Sequence, residues 1–333
     1  MTRTLASTSI PPPQELTISS KPNSPVTYTF INPSPTSSTP KTLVVFVNGL
    51  GLPADSWNPC IAHLLSRSSH PAILTYDRFG QGLTTTGDPI DGTPGKEKGH
   101  DFSDVVSDLH EILAVIAEDK LGITDFERGV NNGELELMMV GASIGVPITR
   151  LYSQIYPKIL SGAIFLDSNM PHLSYSSFLP DPSSPTFKPE DVIADDCTLQ
   201  QYIGAREALC KLFDLDVPNS EGLDRKPGAK LLPRGDGPKM VGKGGNGVEL
   251  CVVGHDPVMF AEVSFERMGT PRSMSMRFTN KYWAEYNERL LKLTDPERSR
   301  GVVIAEGCGH FIQMDNPEFV AEGILKMMGK LGW

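Results

Sequence analysis

Apolar residues follow two periods along this chain, and the two alternate. Short, almost unbroken apolar runs occur at Leu43–Val47, Ala72–Tyr76, Leu135–Val140 and Ala163–Leu166, with Thr75 and Glu136 as the polar exceptions. The first three stop in turn-forming residues: Asn48-Gly49, then Asp77-Arg78-Phe79-Gly80-Gln81-Gly82, then Gly141-Ala142-Ser143-Ile144-Gly145. Strands apolar at nearly every position belong in a parallel sheet covered on both faces. Between them the spacing becomes helical. Phe102, Val105, Val106, Leu109, Ile112, Leu113 and Ile116 form one stripe, and Ile148, Leu151, Tyr152 and Ile155 form another that halts at Pro157. Strands alternating with helices predict βαβ units.

The same reading extends to both ends. Leu16–Ser19 and Val26–Ile31 read as strands separated by a turn over 21–25. Residues 1–12 read as a flexible tail and 33–41 as a Pro/Ser/Thr-rich loop. The alternation breaks over 171–247, where Pro and Ser cluster, a capping-box pair at Thr198 and Gln201 announces a helix, and 224–247 is a Gly/Lys/Pro-rich loop. It then resumes with strands at Val248–Val253 and Gly301–Ala305, a helix over about 279–294, and a last helix opened by Asn316-Pro317. The predicted fold is therefore α/β, a mostly parallel eight-stranded sheet flanked by helices. Its core runs over 13–170 and 248–333, with 171–247 inserted as a lid.

Composition narrows the function. The net charge of −10 argues against nucleic acid and anionic membrane surfaces as partners. No apolar run approaches the roughly 20 residues that span a bilayer, and no signal-peptide core is present. The five cysteines are scattered without a C-x-x-C pair, which points to reduced thiols in the cytoplasm rather than a disulfide framework or a zinc site. Gly242-Lys243-Gly244-Gly245-Asn246-Gly247 fits G-x-G-x-x-G but precedes a strand, so it reads as a loop and not a dinucleotide site. No cofactor and no metal is called for.

The chemistry concentrates at Gly141-Ala142-Ser143-Ile144-Gly145. A G-x-S-x-G turn between strand and helix exposes a serine oxygen on a sharp corner, and the helix start favours a developing oxyanion. A serine needs a base, and His310 in Gly307-Cys308-Gly309-His310-Phe311 follows the last strand. The base needs a carboxylate, and two compete: Asp256 after Val248–Val253, and Asp167 after Ala163–Leu166. Either preserves the order Ser, acid, His. Among the remaining histidines, His255 adjoins a candidate acid at a strand end. Trp57, Tyr282, Trp283 and Tyr286 read as core, with a pocket-lining role as the alternative.

With Asn48-Gly49-Leu50-Gly51, the Asp77–Gly82 stretch, the Ser143 elbow and the Gly309-His310-Phe311 loop in place, the chain resembles the α/β-hydrolase superfamily over nearly all of 26–333. The nearest pattern is the group with a helical lid between the sixth and seventh strands. The resemblance implies an acid after the seventh strand, Asp256. Some members, fungal lactonases among them, carry it after the sixth, which corresponds to Asp167. It also implies an oxyanion hole from the backbone N–H groups of Leu50 and Ile144. Asn48 stands where most members have His, and its side chain is expected to order the loop. Gly49, Phe178, Tyr202 and Phe213 are the expected substrate contacts. The implied activity is hydrolysis of an ester or lactone of a small to medium apolar molecule through an acyl-serine. A carbon–carbon bond hydrolase and a non-catalytic ligand receptor on the same fold are the alternatives. The sequence assigns no oligomeric state.

Overall fold

The computed structural model describes residues 9–35, 41–67 and 69–333. Most of the tail predicted for 1–12 and most of the loop predicted for 33–41 lie outside the described residues.

Eight strands form one sheet: β1 (Gln14–Ile18), β2 (Lys21–Ile31), β3 (Lys41–Val47), β4 (Ala72–Tyr76), β5 (Leu135–Ala142), β6 (Leu160–Leu166), β7 (Glu249–His255) and β8 (Val302–Ala305). Their spatial order is β1-β2-β4-β3-β5-β6-β7-β8. β1, β2 and β4 are joined by antiparallel pairings, and every pairing from β4 through β3 to β8 is parallel. The β-α alternation of the sequence is thus realised as a mostly parallel sheet.

The almost unbroken apolar runs explain the layering. Leu43, Val45 and Val47 of β3 enter one core, and Val44 and Phe46 enter the other. β5 divides in the same way, Leu137 and Met139 against Met138 and Val140. The first core is closed by α2 (Phe102–Leu121) and α3 (Gly145–Ile155), the second by α1 (Asn58–Leu65) and α7 (Pro317–Leu331). Each such residue, buried from both sides, contributes roughly 1.5–3 kcal/mol, so a charge at Val45 would break the centre of the sheet. α2 starts where Asp101 and Asp104 cap it reciprocally and ends at left-handed Gly122.

The structure differs from the sequence reading near the start. The residues predicted as a turn over 21–25 begin β2, and the reversal is the tight Ser19-Ser20 step closed by the Ile18–Lys21 pair. A register irregularity absorbs Pro22 and Pro25. Lys21 is drawn in by a tertiary contact, donating at 2.6 Å to both Asp88 and Asp108. Nothing local in the sequence announces that pairing.

Between β6 and β7 the chain leaves the sheet and builds α4 (Leu199–Phe213), capped by Thr198 and Gln201 as their spacing predicts. After β7 come α5 (Pro257–Met268) and α6 (Asn280–Leu290). The sequence reading assigns no helix at α5. Its start is plain in hindsight, with Asp256 as N-cap, Pro257 in the first turn and left-handed Gly269 at the end. It lacks a clean apolar stripe because Val258, Met259 and Phe265 are exposed. No helix among the described residues is long and apolar enough to cross a membrane.

Candidate active site

β5 delivers Ser143 to the carboxyl edge of the sheet, where α/β sites assemble. Its φ of 53° lies in the left-handed region that a non-glycine residue avoids. The neighbouring glycines make the corner possible. A Cβ on Gly145 would meet the Val47 carbonyl oxygen at 2.1 Å, and one on Gly141 would meet the Gly145 carbonyl oxygen at 2.7 Å. The corner is then held by Ser143 N–H donating to Leu166 O at 2.9 Å and Asn169 N–H donating to Ser143 O at 3.1 Å.

His310 arrives on the loop after β8. Its Nε2 stands 3.0 Å from Ser143 Oγ, and its Nδ1 stands 2.5 Å from Asp167 Oδ2. Asp167 is fully buried at the end of β6, also at positive φ, 42°. Burial opposes its ionisation, but the charge and hydrogen bond of His255 and the hydrogen bond of His310 outweigh that and hold its carboxyl at about 2. Serine, imidazole and carboxylate therefore form one hydrogen-bonded chain.

The preference for Asp256 is corrected by this geometry. Asp256 turns the other way and caps α5. Its Oδ1 accepts from the N–H groups of Val258 and Met259 at 2.9 and 3.3 Å, and its Oδ2 accepts from Gly307 N–H at 3.0 Å. A carboxylate committed to the start of a helix is not available to an imidazole.

The serine opens on a cavity of about 350 Å³. Gly49 and Phe213, two of the four expected substrate contacts, line it together with Leu50, Ile144, His310 and Ser143. Among the described residues no acceptor engages the backbone N–H of Leu50 or Ile144, so both remain available beside the serine. Phe178 and Tyr202 do not line the cavity. Phe178 sits behind the wall, packed on Tyr175, Tyr282 and Trp283. Tyr202 is buried inside the inserted segment, donating its hydroxyl to Pro180 O at 2.8 Å. Their places are taken by Tyr175, Phe260, Val263, Met268, Trp283 and Phe311. Sequence reasoning missed Phe260, Val263 and Met268 because it missed α5. The cap-Pro…Gly signature of that helix was the signal that could have found them.

The Gly49–Leu50 loop is fastened from below. Asn48 donates to Tyr76 O at 2.7 Å and accepts from the Trp57 indole at 2.8 Å, so its side chain orders the loop as expected. Arg78 donates to the carbonyl oxygens of Asn48 and Gly49 and pairs with Glu221 at 2.8 and 3.0 Å. Glu221, from the inserted segment, also accepts from Gly51 N–H at 2.6 Å. Asp77 is likewise structural, accepting from the amides of Ala54 and Leu83.

A hydroxyl–imidazole–carboxylate chain beside two free amides and an apolar cavity can attack a carbonyl and stabilise the alkoxide that forms. Comparison with known proteins agrees with the fold. The sequence profile of the Alpha/beta hydrolase family matches residues 44–323. No curated protein matches the sequence. Among solved structures, a thermophilic esterase from Thermogutta terrifontis superposes with a TM-score of 0.51 at 14% identity, covering 96% of this chain and 99% of its own. A structure described as a putative lipase from Acinetobacter baumannii gives 0.53 at 15%, with 96% and 92% covered. Potato (Solanum tuberosum) epoxide hydrolase I gives 0.54 at 14%, with 96% and 99% covered. At such identities the likeness concerns the fold.

Proposed function

The chain belongs to the alpha/beta hydrolase family, and from that premise we propose that it is a serine hydrolase cleaving an ester or lactone of a small to medium apolar molecule. The observation that carries this reading is the continuous hydrogen-bonded run Ser143–His310–Asp167 at the wall of the cavity.

Ser143 Oγ attacks the substrate carbonyl carbon while its proton passes to His310 Nε2. The carbonyl oxygen becomes an alkoxide, received by the amides of Leu50 and Ile144, each such donor being worth about 3 kcal/mol of barrier. Asp167 accepts from Nδ1–H of His310, fixing the tautomer and stabilising the imidazolium. The tetrahedral adduct collapses, the C–O bond to the leaving group breaks, and the leaving oxygen takes the proton from Nε2. Water then attacks the acyl-serine through the same sequence in reverse roles and frees the acid and Ser143. In a lactone the freed alcohol stays tethered to the acyl group, so the second step releases a single hydroxy acid.

Residues 171–247 act in this reading as a lid, supplying Tyr175 and Phe213 to the apolar wall and Glu221 to the oxyanion loop. The walls are mainly aromatic and aliphatic, with Asn169, Arg225, Ser264 and Arg267 as their polar members beside Ser143 and His310, and favour an apolar substrate. The five free cysteines fit a reducing, cytoplasmic setting.

The test is intact-protein mass spectrometry after treatment with a fluorophosphonate. One adduct on the wild type, absent from Ser143→Ala, is the expected result. A wild type that stays unlabelled beside a labelled control hydrolase overturns the proposal.

A further inference from the structure

Asp167 has a second imidazole partner. His255, the last residue of β7, places Nδ1 2.8 Å from Asp167 Oδ1, while His310 occupies Oδ2. The other ring nitrogen of His255, Nε2, lies 3.1 Å from Asn280 Oδ1. The orientation of that amide is decided by what surrounds it. Asn280 Nδ2 donates to Pro257 O at 2.8 Å and faces the sulfur of Met276, and a carbonyl oxygen can only accept. Flipping the amide would set two oxygens against each other. Both nitrogens of His255 therefore face acceptors.

A neutral imidazole carries one N–H and would leave a nitrogen lone pair against an oxygen lone pair at the other end. His255 is only 4% exposed, and Phe260 stacks on its ring with centroids 4.2 Å apart, so solvent does not relieve that conflict. We infer that His255 stands as an imidazolium in the resting protein and acts through Asp167 as a positioning residue that disfavours protonation of His310. This rests on the serine-hydrolase reading for its catalytic consequence, though not for the charge itself.

The surrounding charges agree. Burial works against the charged ring, but the Asp167 charge and hydrogen bond, the Asn280 hydrogen bond and the Asp256 charge raise the affinity of His255 for its proton. Tyr175 faces the same carboxylate and is kept neutral, its hydroxyl pushed up by burial and by the Asp167 charge. His310 is the remaining titratable group on Asp167. The consequence follows from counting charge. Asp167 and His255 together are neutral, so the proton that His310 takes from Ser143 makes the cluster positive. With a lone carboxylate the same proton would make the cluster neutral. The imidazolium formed in the reaction is thereby a better acid towards the leaving oxygen.

Two measurements test this. In ¹⁵N-histidine NMR of the resting protein at pH 7, one buried imidazole is expected to carry protons on both nitrogens, and that signal is expected to vanish in His255→Gln. In hydrolysis of p-nitrophenyl butyrate, the acidic limb of the kcat/KM profile is expected to move up by about one pH unit in His255→Gln, because a nearby positive charge has been removed. Asn280→Leu, which removes the second acceptor, is expected to move it the same way and serves if His255→Gln does not fold. A singly protonated His255 at pH 7 overturns the inference, as does an unmoved acidic limb in a folded variant. The NMR measurement needs no substrate. Absence of a phosphonate adduct would overturn the serine mechanism alone, and a neutral His255 would overturn this inference alone.

Discussion

The ends of β6 and β7 are neighbours in the sheet, and each is followed by an aspartate. Asp167 follows Leu166, and Asp256 follows His255. In sequence both look alike: an apolar strand, then an acid, then a loop. In the fold they have opposite fates. Asp167 is fully buried and takes an imidazole on each oxygen. Asp256 is partly exposed and spends its oxygens on three backbone amides. Strand-end position therefore does not choose which carboxylate meets His310. The choice follows from which carboxylate already has local donors. Pro257 opens a helix directly after Asp256, and the unsatisfied amides of its first turn claim that side chain. No helix starts at Asp167, whose carboxylate is left to partners arriving from β7 and from the loop after β8.

The comparison breaks first on activity. Asp167→Asn is expected to lower kcat for a p-nitrophenyl ester by about 10⁴-fold, since the neutral amide no longer holds the required tautomer, whereas Asp256→Asn stays within a few-fold of wild type. Equal losses in the two variants would reverse the assignment. A smaller effect is expected on stability in acid. The carboxyl of Asp167 is depressed to about 2 in the folded state against about 3.9 when unfolded, so its contribution is fully present above about pH 4 and is lost as pH falls through 2, roughly 2–3 kcal/mol in all. Urea midpoints of wild type and Asp167→Asn should therefore converge between pH 5 and pH 2.5. A constant gap between them would mean that the carboxylate is not held this way. The smallest effect belongs to β7. Asp256→Ala removes an N-cap and should cost about 1 kcal/mol in thermal or urea denaturation, while Asp256→Asn, still able to cap, costs a few tenths.

Much of this molecule is legible from contiguous residues. The apolar runs of β3 to β6 and the striped helices follow from periodicity, because a strand buried on both faces has no alternative composition. The serine corner is equally local. Gly141 and Gly145 are the residues that Ser143 needs as neighbours, since a Cβ at either would strike backbone. His310 is marked by its Gly-flanked loop after the last strand.

The carboxylate partner of His310, the cavity wall and the second histidine are not legible in that way. Whether Asp167 or Asp256 meets His310 depends on a bond between segments 143 positions apart. Phe178 and Tyr202 are aromatic residues of the inserted segment no less than Tyr175 and Phe213, yet only the latter pair reaches the cavity. The Gly49–Leu50 loop is held by Glu221, 170 positions from the Gly51 amide it accepts from. Periodicity reports which face of an element is buried, and motif spacing reports which backbone corner is possible. Neither reports which distant side chain fills the space opposite, because that is settled only when the elements pack and each buried polar group must find its partner.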